Sequence, residues 1–240
     1  TDPKFFERSQ KYALYKNVND EFFIWDDYLK KINVNQKDKD GKTVILYTND
    51  RETQHSFIQE AKNKSYDILV LDSPIVSHLI QKLESDKKDI SFARVDADSI
   101  DKLIKKDEVV PSVISEKDEK SLKKSLEKIL NKDKYTVQFE SLSPDSSPFS
   151  ITRSEFMRRM QEMNATGGGG MFGMGNMPEM YNMVVNGNHP LISKIISQKS
   201  SKKKSEMLKH ATDLAKLSQG LLKGENLTIF IKENYQKLEK

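Results

Sequence analysis

Apolar residues fall in short bursts along this chain, divided by charged runs, and the period of each burst predicts an element. Residues 44–48, 68–71 and 91–95 are near-continuous apolar runs, the pattern of strands covered on both faces. Between them, residues 52–63 place Phe57, Ile58 and Ala61 at helical steps. Residues 74–83 do the same with Ile75, Leu79, Ile80 and Leu83, and Pro74 suits a first turn. Strand, helix, strand, helix, strand predicts an α/β lobe, a small parallel sheet between helices, with 68–71 as a central strand. Upstream, residues 12–15 and 22–24 predict two short strands about an Asn-Val-Asn-Asp turn, with a short helix following as far as Ile32.

From residue 96 to 119 the chain turns polar and acidic, which places a boundary between a domain of residues 1–115 and one of residues 116–240. The second domain reads as α+β. Leu122, Leu126, Ile129 and Leu130 predict an amphipathic helix over 120–130, and residues 135–142, 149–151 and 181–185 predict a small three-stranded sheet. Pro190 opens a helix over 191–197, and residues 198–204 read as a basic, serine-rich connector. Two broad-faced helices end the chain. The first, over 206–222, sets Met207, Ala211, Leu214, Ser218 and Leu221 along one seam, widened by Leu208, Ala215, Leu217 and Leu222. The second carries Leu227, Phe230, Ile231, Tyr235 and Leu238. Joined by a Gly-containing turn they form a helical hairpin, which either packs wholly onto the preceding sheet or pairs with a second copy as a four-helix bundle. The second arrangement makes Ala211, Leu214, Ser218, Leu221, Leu222, Leu227, Phe230, Ile231 and Tyr235 the dimer interface.

The stretch 152–186 holds eight of the nine methionines. Phe156, Met157, Met160 and Met163 recur at steps of three and four on one helical stripe, with Arg158, Arg159, Gln161 and Glu162 turned away. Thr152 and Glu155 have the spacing of a capping box. After Asn164 a polyglycine loop carries Met171, Phe172 and Met174. Such a stripe is either core or, because methionine is unbranched and polarisable, an adaptable surface for apolar partners.

Composition narrows the choice of function. Only 36% of residues are apolar and 32% are charged, so cores must be small and concentrated. The net charge of +4 comes from 40 basic and 36 acidic residues, well mixed, which fits solvated helix faces and not a polyanion-binding surface; Lys202–Lys204 alone, without interleaved aromatics, does not alter that. No cysteine is present, which removes disulfides, thiolate metal sites and cysteine nucleophiles. No apolar run reaches the length of a membrane span. His55, His78, His189 and His210 show no ligand spacing, and Gly167–Gly170 lacks the Gly-Lys-Ser/Thr of a phosphate loop. We therefore expect no catalytic, cofactor or metal site and no nucleic-acid or membrane partner. One alternative is a receiver-like phospho-accepting module centred on Asp72, at the carboxyl end of the 68–71 strand, although Asn49-Asp50 only half supplies the acidic pair it needs.

The same residues resemble the heat-shock protein 90 chaperone family, of the bacterial HtpG type. Residues 44–95 are similar to the small α/β lobe that ends the family's middle domain, and Phe156-Met-Arg-Arg-Met to the amphipathic helix of its C-terminal domain. Residues 181–192 resemble the strand and helix that follow, and Leu-Leu-Lys-Gly-Glu-Asn-Leu-Thr-Ile-Phe-Ile the dimerising hairpin. At Val76 and Ser77 this chain departs from the acidic residues that many members carry. The resemblance implies a cytoplasmic stress-response chaperone acting as a homodimer on non-native client proteins. Clients would be contacted through Phe156, Met157, Met160, Met163, Met171, Phe172 and Met174, with two such surfaces facing a shared cleft. It also implies that ATP and Mg belong to the full-length parent and are bound upstream of Thr1. The end at Lys240, without a Glu-Glu-Val-Asp tail, implies a bacterial member without tetratricopeptide cochaperones.

Overall fold

The structure is a computed structural model and describes residues 3–104, 110–165 and 179–239. The chain divides into two compact units, each taken by itself. The first begins with α1 (Pro3–Gln10), the antiparallel pair β1 (Leu14–Lys16) and β2 (Phe22–Ile24), and α2 (Trp25–Ile32). It continues through β3 (Thr43–Thr48), α3 (His55–Asn63), β4 (Ile68–Val70), α4 (Val76–Asp86), β5 (Ile90–Arg94) and α5 (Ile100–Leu103). β3 lies in the middle of a three-stranded sheet, parallel to both β4 and β5, and all six of its residues are buried. Alternation along β3 assigns its two faces. Val44 and Leu46 pack with Phe57, Ile58 and Ala61 of α3 and Ile100 and Leu103 of α5. Ile45 and Tyr47 pack with Trp25, Tyr28 and Ile32 of α2 and Ile80 and Leu83 of α4. That is why the run reads as continuously apolar.

Two expectations change here. The strand order is β4-β3-β5, so the strand before Asp72 lies at one edge of the three and not at its centre. A run of three buried or half-buried residues does not say which neighbour sits in the middle. The third helix also starts late, because the Asp50 carboxylate accepts from the Glu52 and Thr53 amides at 2.9 and 3.1 Å and holds that segment as a turn.

The remaining elements are α6 (Glu116–Leu126), β6 (Tyr135–Glu140), β7 (Phe149–Thr152), α7 (Glu155–Ala165), β8 (Tyr181–Asn186), α8 (Pro190–Ser197), α9 (Ser201–Ser218) and α10 (Gly224–Leu238). Of these α7 belongs to the first unit, and the others build the second. There β8 is central, parallel to β6 and antiparallel to β7. Met183 and Val185 of β8, Val137 of β6 and Ile151 of β7 form one core with Leu122 and Leu126 of α6, Ile192 and Ile195 of α8, and Leu208, Ala211 and Ala215 of α9. Met183, outside the helical stripe, is fully buried in this core. α9 starts at Ser201, inside the stretch expected to be a connector. Ser200 caps it by accepting from the Lys203 amide at 3.4 Å, and lysine is a good helix former once a cap is supplied.

Past α9 the chain turns sharply. Gly220 and Gly224 have φ of +62° and +58°, a left-handed conformation that L side chains avoid, and α10 leaves from the second of them. The hairpin geometry depends on these two glycines.

Candidate functional site

Two surfaces carry the residues singled out by the sequence. The first is α7. Phe156 is 69% exposed, Met157 and Met160 are half-buried, and among the described side chains of the helix Arg158, expected to turn away from the stripe, is the buried one. The side chain of Met163, and Met171, Phe172 and Met174 altogether, lie outside the described residues. What holds α7 is charge. The Arg158 guanidinium donates to Glu155 at 2.7 Å and also to Glu162 and the Tyr47 hydroxyl. Arg159 donates to Glu155 and Glu84, both at 2.7 Å, and to the Phe92 carbonyl at 2.8 Å. Tyr47 donates to Glu155 at 3.1 Å, and the Ser77 hydroxyl donates to Glu162. Arg94, buried and paired with Asp96 at 2.5 and 2.8 Å, offers its backbone amide to Glu155.

Electrostatics follow from this crowding. Burial raises the Glu155 carboxyl, but Arg158 and Arg159 outweigh it and hold the group below the ordinary carboxylate range. Burial also pushes the Tyr47 phenol up, and the Glu155 charge adds to that. The capping box does not form, because Glu155 is committed to the arginines. Ser154 starts the helix, its carbonyl accepting from the Arg158 amide at 3.0 Å, and the buried Thr152 hydroxyl has no partner.

The second surface is the α9–α10 hairpin. Its residues split between two sides. Ala211, Leu222 and Phe230 are buried inside their own unit, and Leu221 and Leu227 are half-buried. Leu214, Leu217, Ser218, Ile231, Tyr235 and Leu238 are exposed. Leu227, Ile231, Tyr235 and Leu238 are spaced four, four and three, so they share one side of α10. Phe230 alone among the residues of α10 is buried, stacked on His210 of α9 with ring centroids 5.3 Å apart.

His210 also faces charge from both helices: Lys209 and Asp213 on α9, Glu233 and Lys237 on α10, with the Lys237 ammonium 3.3 Å from its Nδ1. Burial, and then Lys237, lower its pKa. A histidine whose folded pKa is depressed resists protonation in the fold, so stability is full above the unfolded value of about 6.5 and falls as pH drops through the folded one. Urea unfolding followed by circular dichroism from about pH 8 to pH 5.5 is expected to show this acid loss, reduced in His210→Gln.

Comparison with known proteins places the chain in a family. No family model matches the chain. It is 36% identical over 200 residues to the chaperone protein HtpG of Porphyromonas gingivalis, covering 82% of this chain and 29% of that protein. Similarity to HtpG of Bacteroides thetaiotaomicron is 34% over 223 residues, 91% of this chain and 32% of the relative. HtpG of Bacteroides fragilis is 33% identical over 200 residues. The chain belongs to the HtpG family. It spans about a third of the length of the curated relatives it matches.

Within this HtpG-family chain, periodicity located α7 and the two helices of the hairpin but missed what supports them. Tyr47, Glu84 and Arg94, which receive α7, carry no local signal, since each sits in an ordinary strand or helix pattern. His210 showed only as an isolated histidine. Asp72 is exposed beyond the end of β4, and nothing in the HtpG relationship supports a receiver module. No helix among the described residues is long and apolar enough to cross a membrane.

Proposed function

We propose that this chain is the part of an ATP-dependent, HtpG-type chaperone that dimerises and contacts non-native proteins in the cytoplasm. Residues 1–115 then correspond to the end of the middle domain and residues 116–240 to the dimerisation domain. ATP and magnesium act elsewhere in the whole protein, and these residues serve as a binding module without catalysis.

The observation that carries the reading is the outward apolar side of α10, Leu227, Ile231, Tyr235 and Leu238, beside Leu214 and Leu217 of α9. Isolated exposed leucines need no explanation, but a helix that buries one side chain against its own chain and sets four apolar ones on another side is half of an interface. A second copy, related by a two-fold axis, completes a four-helix bundle. Client contact falls to Phe156, Met157 and Met160 of α7, continued by Met163, Met171, Phe172 and Met174. Phe156 supplies a large exposed apolar surface on a helix whose attachment is polar, so occupying it does not compete with folding.

Sedimentation at tens of micromolar is expected to show a dimer, and a monomer there would overturn the association. Replacing Phe156, Met157 and Met160 with serine is expected to reduce suppression of client aggregation while changing unfolding stability by no more than about 1 kcal/mol. Unfolding of the first unit instead would make the stripe core.

A further inference from the structure

Asn186 ends β8, and with Gly187 it forms the only Asn-Gly pair in the sequence. In an open chain such a pair is reactive. Glycine has no side chain to shield its amide nitrogen, which, once deprotonated, attacks the asparagine side-chain carbonyl and closes a succinimide ring. The fold holds every atom of that step. Asn186 is fully buried, and its Nδ2 donates to the Ser143 and Ser146 carbonyls at 2.8 and 3.3 Å. Its Oδ1 accepts from the Leu142 and Asn188 amides at 3.3 and 3.1 Å. The attacking nitrogen is engaged as well, because the Gly187 amide donates to the Glu140 carbonyl at 2.8 Å.

Ring closure needs the proton that this last bond holds. Losing it to hydroxide is the same event that exchanges the amide with solvent, and amides tied into a core strand do so only when a large part of their unit opens. The products would not fit the closed fold. Deamidation sets a second oxygen where Nδ2 stood, facing the Ser143 and Ser146 carbonyls with no donor between them. The isoaspartyl form also lengthens the main chain by one atom before Gly187. There is no room for a shift there, since a Cβ on Gly187 would already lie 3.0 Å from Cδ1 of Ile114.

We propose that Asn186-Gly187 is a modification site that opens only when the second unit unfolds, and that its deamidation bars the chain from refolding. The Gly187 nitrogen, its proton taken by hydroxide, bonds to Asn186 Cγ; the Cγ–Nδ2 bond breaks and ammonia leaves. Water then adds to either ring carbonyl, and cleavage of that carbon–nitrogen bond leaves aspartate or isoaspartate. The corner affected joins the central strand β8 to α8, whose Ile192 and Ile195 belong to the core. Time spent unfolded is thereby recorded in the covalent chain. This inference uses neither α7 nor the α9–α10 hairpin and stands apart from the chaperone reading.

The whole chain is held at one mildly alkaline pH, in buffer and in guanidinium chloride above its unfolding midpoint. Conversion of Asn186 is followed by mass spectrometry of the tryptic peptide that ends at Lys194. The folded chain is expected to convert at least about a hundredfold more slowly, by a factor that matches the exchange protection of the Gly187 amide. Equal rates would overturn the gate. Partly converted chain is then diluted from denaturant, and the refolded fraction is expected to be depleted of modified Asn186 by about tenfold or more. A refolded fraction as modified as the starting material would overturn the bar to refolding. Chain unfolded for the same time at mildly acidic pH, where the amide keeps its proton, is expected to refold as fully as chain unfolded only briefly; an equal loss there would show a cause other than deamidation.

Discussion

In the dimer proposed for this chain, Ile231→Asp is expected to give a monomer without changing the helical content. Ile231 lies in the middle of the apolar side formed by Leu227, Tyr235 and Leu238, and none of these four is fully buried in the single chain. Within one copy the substitution therefore places a carboxylate on an accessible surface, where changes are usually within about 0.5 kcal/mol. In a two-fold interface the same change occurs twice at the centre, and each carboxylate would be buried without a partner. A penalty of about 3 kcal/mol or more per dimer weakens association by at least about a hundredfold. Sedimentation velocity across a concentration series measures it. Lys232→Glu, on the adjacent exposed position, is the matched control and is expected to leave the dimer intact. Phe230→Ala tests the other side of the helix: it removes the ring stacked on His210 and should free α10 from α9, lowering helical content as well as association. If Ile231→Asp sediments as a dimer, the four-residue stripe is not the interface.

Arg158→Met is expected to release α7 from its unit while the three-stranded parallel sheet stays folded. The guanidinium is buried and donates to Glu155, Glu162 and Tyr47, so its removal leaves two carboxylates facing one another across the site of a lost cation. Breaking a buried ionic network by deleting one partner costs about 3–5 kcal/mol. α7 has only 11 residues, and a helix that short is marginal on its own in water, so it then relies on the contacts that remain, those of Arg159 with Glu84 and the Phe92 carbonyl among them. Hydrogen exchange of the α7 amides should accelerate on the order of a hundredfold or more, with β3 nearly unchanged. Equal acceleration in both would mean that α7 and the sheet open together.

Acid gives an independent reading of the same network. The folded pKa of Glu155 is depressed by Arg158 and Arg159 against the opposing effect of burial. Its contribution is present above the ordinary carboxylate value and is lost as pH falls through the lower folded one, below about pH 4.5. Glu155→Gln should lose that acid limb and expose α7 at every pH.

How far the sequence reaches depends on whether the information is local. Strands β3, β4 and β5 were legible because a strand covered on both faces must be apolar at nearly every position, and both helices of the C-terminal hairpin because their apolar residues recur over several turns. α1 and α5 have no counterpart in the periodicity, being short and, apart from a few apolar residues, polar. The capping box failed for a related reason. Thr152 and Glu155 have the right spacing, but a carboxylate goes to the strongest donors within reach, and two arginines exceed a helix-end amide.

The methionine helix shows where the limit lies. The sequence by itself determined that residues around 155–165 form an amphipathic helix, that its apolar stripe runs through Phe156, Met157 and Met160, and that a two-helix hairpin closes the chain. Only the tertiary structure decided which side of that helix is covered. Arg158, Arg159, Glu155 and Glu162 at steps of three and four look identical whether they face water or bind Tyr47, Glu84 and Arg94, because helical period records how residues share a face and not what that face meets. The partners come from positions about 60 to 110 residues away, and only the folded chain brings them within hydrogen-bond distance of α7.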